Sequence, residues 1–302
     1  MEVALIILKQ IIVMFLIMGM GFLLFRKGLI TKEGSKTLAN LLIYIILPCV
    51  IINGFITDRT AEKITELGVS ALMAAAFLAV ACIISRLVFK KHPIDNFSSA
   101  FSNPGFFGIP LIVAAYSSEA VFFITAFIAF LNVMQWTYGA AILKEEKIKI
   151  NFKTIFTSPF IIGLIIGLII FFTGVPIPTV VKSTISAATN ANTFVAMLVL
   201  GTYLAQADMK EVFLSPRLYG VSFLRLVLIP AVCMLVGFVI PDKFTELFTC
   251  VMIACACPVG SNVAVYAQLY NKDYTYAVSA VTLSTIFSVV TIPLMLMAVS
   301  LF

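Results

Sequence analysis

Apolar runs of about 20 residues, the length that crosses the hydrocarbon core of a bilayer, recur along this chain. Short loops holding charged, Gly or Pro residues separate them. They predict ten membrane spans, near 3–25, 36–56, 66–89, 97–115, 119–143, 155–173, 183–206, 216–240, 244–268 and 274–300. Two of the runs are interrupted. The fourth contains Ser102-Asn103-Pro104-Gly105-Phe106-Phe107-Gly108-Ile109-Pro110, and the ninth contains Cys257-Pro258-Val259-Gly260-Ser261-Asn262. Pro104, Pro110 and Pro258 each remove an N–H and orphan the carbonyl four residues earlier, that of Ala100, Phe106 or Ala254. In lipid such groups survive only where protein or a watered cavity satisfies them. Paired broken helices in the two halves of a chain point to the binding site of a transporter.

Composition sharpens this picture. With 62% hydrophobic and 11% charged side chains over 302 residues, and a mean hydropathy of +1.12, the chain has more apolar surface than a soluble core hides. It reads as an integral membrane protein with no separate soluble domain. The first run carries Lys9, exceeds the core of a signal peptide and lacks a small-residue cleavage site, so it reads as a retained span.

The net charge of +6 is topological. Arg26, Lys27, Lys32, Lys36, Arg86, Lys90, Lys91, Lys144, Lys147, Lys149, Lys153, Lys210, Arg217 and Lys272 fall on one side of the ten spans. Only Arg59, Lys63, Lys182 and Lys243 fall on the other. The positive-inside rule therefore places both termini outside the cytoplasm of a cell membrane and the 144–153 hairpin inside it. The six cysteines form no C-x-x-C pair and the only histidine, His92, sits in a loop. No metal site, cofactor or nucleic-acid partner is indicated. An intramembrane enzyme would need a nucleophile–base pair or a metal cluster within the spans, and neither is present.

Five spans on each side of the central hairpin require the second half to insert upside down relative to the first. This predicts an all-α fold of ten transmembrane helices in two inverted repeats, residues 1–150 and 151–302. At an offset of 154, Pro104 meets Pro258, Tyr116 meets Tyr270, Glu119 meets Asp273, and Pro48 falls within one residue of the counterpart of Gly201.

In this topology the half-helices after Gly105 and after Gly260 bring their N-termini to one point near the midplane. Their free N–H groups favour an anion, by about 0.3–1 kcal/mol each when exposed. A carboxylate is the natural ligand, and the opposing C-terminal ends suit a cation. Asn103, Ser261 and Asn262 lie beside the breaks, either to contact that ligand or to cap the helix ends. Arg225, about 12 Å into the eighth span at 1.5 Å per residue, costs about 2.5–3.5 kcal/mol there. It reads as a counter-ion for a substrate carboxylate, as a partner for a moving acidic group, or as a snorkelling side chain.

Lys9 reads as a snorkeller. Thr189, Asn190, Asn192 and Thr193 include positions one helical turn apart that suit the second span or a solute path, and a polar stripe of this kind is also the glue between packed helices. Gly163 and Gly167 form a small-x-x-x-small packing pair on the sixth span. Pro48 frees the Tyr44 carbonyl on the second span, a region that either helps to line the cavity or merely bends. Among acidic residues, Glu66 and Asp208 come nearest to the membrane interior and read as loop charges.

Asn40-Leu41-Leu42-Ile43-Tyr44 leading to Leu47-Pro48, the Asn103 to Pro110 run, Leu224-Arg225-Leu226 with Pro230, and the Pro258 to Asn262 run together resemble the auxin efflux carrier family. Microbial members of that family are described as malate or other organic-acid permeases. The resemblance implies a fold similar to sodium/proton antiporters and bile-acid symporters, with helices four and nine crossing at unwound centres. It also implies a scaffold of helices one, two, six and seven. Helices three to five and eight to ten would move against that scaffold as an elevator, and two copies would pair through it as a homodimer.

By the same likeness, Asn103 and the Pro258 to Asn262 segment map onto the crossing where substrate is held. Joined with the reading of the breaks, this makes Asn103, Pro104, Gly105, Pro258, Gly260, Ser261 and Asn262, with Arg225, the expected substrate site, and Pro48, Pro104, Pro110 and Pro258 the residues expected to hold the helix breaks. The family's Asn-Thr-Gly stands here as Asn103-Pro104-Gly105, and the long central loop of the plant exporters is absent. The expectation is a secondary carrier of a small organic anion, with a proton or sodium as its coupling ion or with none. The rival is a membrane ligand sensor built on the same fold.

Overall fold

The computed structural model describes residues 2–148, 152–207 and 209–299. Lys149 and Asp208, both used in the sequence argument, lie outside them. Among the described residues the chain is helical, and seven helices are long and apolar enough to cross a membrane. These are Leu5–Arg26, Lys32–Gly54, Ala61–Val88, Glu119–Lys144, Thr179–Gln206, Pro216–Phe238 and Tyr274–Val299. The other three predicted runs each come in two pieces, Pro93–Ala100 with Pro104–Ala115, Phe152–Phe156 with Pro159–Thr173, and Thr245–Ala256 with Asn262–Leu269.

The division ahead of Pro159 departs from the uninterrupted sixth span that hydropathy suggested. Its cause is Pro159 itself, which starts the longer piece, where its missing N–H costs no helical bond. Several helices also begin before their apolar runs. The Thr60 hydroxyl accepts from the Lys63 amide at 3.1 Å, and the Thr31 hydroxyl accepts from the Gly34 amide at 3.1 Å. These caps start the second and third helices in polar sequence that the hydropathy pattern passes over.

Proline does not always end a helix here. Pro48, Pro110 and Pro230 each follow a wide π turn, at Leu42–Ile46, Pro104–Gly108 and Leu224–Leu228. In each turn the helix adds one residue, so that Leu47, Ile109 and Ile229 donate to carbonyls five positions back. The extra residue makes room for a ring that would otherwise strike the carbonyl four positions earlier. Pro48 and Pro110 therefore stand inside continuing helices, whereas Pro104 starts one and Pro258 lies between two.

Small residues set the tightest helix contacts. Glu2–Arg26 lies against Thr179–Gln206 through Gly21 and Gly201, where an added Cβ would overlap the carbonyls of Leu198 and Met18. Gly163 faces Pro48, whose Cα lies 3.0 Å from the position of an added Cβ, and Gly167 faces the ring of Phe55. The Gly163 and Gly167 pair thus packs Pro159–Thr173 on Lys32–Gly54, as the spacing suggested. Phe55 joins Phe122 and Phe171 in an aromatic cluster, with ring centroids 5.4 to 6.2 Å apart. A Gly201→Val variant has no room against Met18, and its thermal unfolding midpoint in detergent is expected to fall by the equivalent of about 2–3 kcal/mol. Gly19→Ala, at a position with open space around it, is the neutral control.

Candidate functional site

The two broken segments meet through their unwound residues. Ser102 and Val259 form an antiparallel bridge. The Asn103 amide donates to the Pro258 carbonyl at 3.0 Å, and the Gly260 amide donates to the Phe101 carbonyl at 2.9 Å. The Val259 amide donates to the Ser284 hydroxyl of Tyr274–Val299 at 3.0 Å. Each segment thus supplies part of what the other lost on leaving its helix. Gly260 is required by this approach, since an added Cβ would lie 2.8 Å from the Ser102 carbonyl oxygen. Gly105 is different. The atoms nearest a Cβ there belong to the Leu47 and Phe160 side chains, at 3.6 Å or more.

Two helices end at the crossing and two begin there. The ends belong to Pro93–Ala100 and Thr245–Ala256, and Arg225 serves both. Its side chain is 1% exposed. Nη1 donates to the carbonyls of Ser99, at 3.1 Å, and Ala100, at 3.0 Å, while Nη2 donates to the carbonyl of Cys255. The Ala100 carbonyl is one that proline was expected to orphan. A cation between two helix C-termini also meets two negative dipole ends, which offsets the cost of burying it. Arg225 does not reach a surface, and its terminal nitrogens are engaged with backbone.

The two helices that begin at the crossing present their first amides, which have no partner within the helix. Asn103 caps the first, its Oδ1 accepting from the Phe106 amide at 3.3 Å. That bond makes Oδ1 the capping end of the amide group and leaves Nδ2 out of the cap. Asn103 is 5% exposed, and Nδ2 has no hydrogen-bond partner among the described residues. Ser261, 4% exposed, precedes the second helix and makes no side-chain cap bond. Asn262 Nδ2 donates to Gln135 Oε1 at 2.9 Å.

A cavity of about 20 Å³, enough for one water, lies between Asn103, Gly105, Asn132, Phe160, Gly260 and Asn262. Beside it a cavity of about 610 Å³ shares Asn132, Phe160 and Asn262 in its walls. Tyr44, Trp136, Tyr203 and Tyr266 add aromatic surface, and Lys32 and Lys36 stand in its lining near the start of Lys32–Gly54. Asn103, Pro104, Gly105, Gly260 and Asn262 therefore line one small space, and Arg225 lies behind it. Pro258 and Ser261 belong to the crossing without lining that space.

Sequence reasoning missed Asn132 and Gln135, although two amides three residues apart in an apolar helix are a legible signal. It also left out Asp95. The first broken helix begins at Pro93, which puts Asp95 inside it at 1% exposed. The Tyr276 hydroxyl donates to Asp95 Oδ1 at 2.6 Å, and Arg217 Nη1 lies 3.9 Å from Oδ2. Glu66 pairs with Lys63 at 3.1 Å. The helix Thr179–Asn190, which carries Thr189 and Asn190, packs against Leu47–Gly54 of the second predicted span.

Substitutions at Arg225 and Gly260 test the construction of the crossing. Arg225→Met leaves helix-end carbonyls unpaired in an apolar interior and is expected to cost about 2–4 kcal/mol of stability. Arg225→Lys keeps the charge without the fork and recovers part of that loss. Gly260→Ala separates the bridge at a cost of about 1–3 kcal/mol. Gly105→Ala, which has room, stays near the wild type in thermal unfolding.

Residues 6–296 match the family described as membrane transport protein. An uncharacterised transporter of Methanocaldococcus jannaschii is 23% identical over 284 residues, covering 88% of this chain and 90% of that protein. The match spans the broken segments, Arg225 and both halves of the molecule, and with the motifs at Asn103 and Asn262 it shows that the chain belongs to the membrane transport protein family, the family of the auxin efflux carriers.

Proposed function

We propose that this transporter carries a small organic anion with a carboxylate head, held where the two broken helices begin. The observation that carries the reading is the Asn103 side chain. Its carbonyl oxygen is committed to capping, and its buried Nδ2 lacks an acceptor beside a small cavity that two helix N-termini flank. The unfilled capacity there belongs to donors, and an anion fills it. Arg225 acts through the backbone it holds. It neutralises the helix C-termini on one side of the crossing, so that the N-termini dominate the potential on the other.

The cavities support alternating access as the mode of transport. We take the chain as ten spans in two inverted repeats, with both termini outside the cytoplasm by the positive-inside rule. The 610 Å³ cavity then lies toward the cytoplasmic side, because Lys32 and Lys36 line it, and the molecule is in an inward-open state. One part of the cavity wall comes from Lys32–Gly54, Pro159–Thr173 and Thr179–Gln206, and another from Glu119–Lys144, Asn262–Leu269 and Tyr274–Val299. Those groups fit a scaffold of helices one, two, six and seven and a moving body of helices three to five and eight to ten. Elevator motion of the second against the first would carry the crossing, and the anion with it, across the membrane.

Uptake or counterflow of labelled mono- and dicarboxylates into proteoliposomes tests this reading. The Asn103→Ala, Asn262→Ala double variant is expected to lose at least tenfold in initial rate, and Asn103→Asp, which places a negative charge at the site, to lose all activity. Robust carboxylate flux through the double variant contradicts the site.

A further inference from the structure

A second large cavity, of about 680 Å³, shares none of its lining with the crossing. It lies among the end of Ala61–Val88, the start of Pro93–Ala100 and the end of Glu119–Lys144. Arg86, Lys90, Lys91 and Lys147 line it against Glu145 and Glu146. Glu145 is already compensated, since Lys272 reaches it at 2.6 Å from outside the lining. The remaining polar wall is uncharged. There the Tyr138 hydroxyl lies 3.3 Å from the Cys82 carbonyl and 3.4 Å from Asn96 Oδ1. Cations thus outnumber carboxylates around an open, polar recess at the end of a 28-residue apolar helix.

The flank of this recess is apolar. Ile83 and Leu87, one helical turn apart, are 59% and 78% exposed, Val88 is 53% exposed, and Ile148 at the other rim is 58% exposed. Ile83, Leu87 and Val88 lie on the same helix as Arg86, whose end leads into Lys90 and Lys91. Because Ala61–Val88 is long and apolar enough to cross the membrane, that surface lies against lipid, and the headgroup of the same lipid is within reach of the cations. An occupant with an anionic head and hydrocarbon tails covers both. We infer that this cavity binds the phosphate headgroup of an anionic phospholipid, with the acyl chains lying along Ile83, Leu87 and Val88. Basic recesses between membrane helices at a headgroup surface have the chemistry for this, and each basic contact contributes a factor of about five in affinity.

The inference is independent of the solute that the protein carries, and its test needs no transport assay. Full-length protein stripped of lipid in a neutral detergent is titrated with phosphatidylglycerol, phosphatidylcholine or inorganic phosphate, and the thermal unfolding midpoint is followed. Phosphatidylglycerol is expected to raise the midpoint of the wild type, with the other two ineffective at the same concentrations. In the Lys90→Gln, Lys91→Gln variant the half-saturating concentration rises at least tenfold. Both side chains are exposed, so the variant folds. Lys32→Gln, Lys36→Gln, which alters the basic pair of the other cavity, keeps the wild-type value. An unchanged response in Lys90→Gln, Lys91→Gln, or equal stabilisation by phosphatidylcholine, overturns the site. Stabilisation by inorganic phosphate equal to that by phosphatidylglycerol overturns the lipid assignment.

Discussion

Backbone that leaves its helix inside a membrane has no water to bond with, and the architecture at the centre of this protein follows from how those bonds are replaced. Part of the replacement is mutual, because each broken segment donates an amide to a carbonyl of the other. Part comes from Arg225, whose guanidinium joins the ends of two helices from different halves of the chain. A guanidinium suits the task because its planar fork reaches several acceptors at once and stays charged. The charge costs about 2.5–3.5 kcal/mol to place at this depth. Its attraction to two helix C-termini and its hydrogen bonds to their carbonyls offset that cost.

This arrangement also separates the two polarities of a crossing. Four helix ends converge within a short distance, two negative and two positive. With the negative pair covered by Arg225, the positive pair faces a cavity in which the capped Asn103 keeps an unused donor. Gly260 and Gly105 stand one in each break, with different duties. Gly260 lets the chains touch, while Gly105 has space for a side chain that the sequence leaves out. A bare backbone at Gly105 is what a solute needs if it is to approach the peptide group directly.

Much of this was legible in the residues. Pro104 and Pro258 with their neighbouring glycines marked where helices stop, because a missing N–H and an absent Cβ are local properties that need no tertiary context. The long apolar runs marked the seven long helices for the same reason, and the spacing of Gly163 and Gly167 marked a contact. Pro48 and Pro110 were harder, since a π turn absorbs a proline ring without ending the helix and no local signal separates the two outcomes. Arg225 was visible as an expensive residue, but its partners lie 30 to 126 positions away, so its use became readable only once the chain was folded. Asp95 was hidden by a boundary. The helix that buries it starts at Pro93, before the apolar run on which a hydropathy argument depends.

The central idea is that peptide groups and one amide side chain, with no free cation, make the site for a negative charge. Thermal stabilisation of the purified protein by a carboxylate, compared with its uncharged primary-amide analogue of the same shape, measures that idea directly. The carboxylate alone should raise the unfolding midpoint, and Asn103→Ala should abolish the rise. Equal stabilisation by the neutral amide, or a carboxylate effect that survives the loss of Asn103, would mean that the crossing of the broken helices is not where an anion binds.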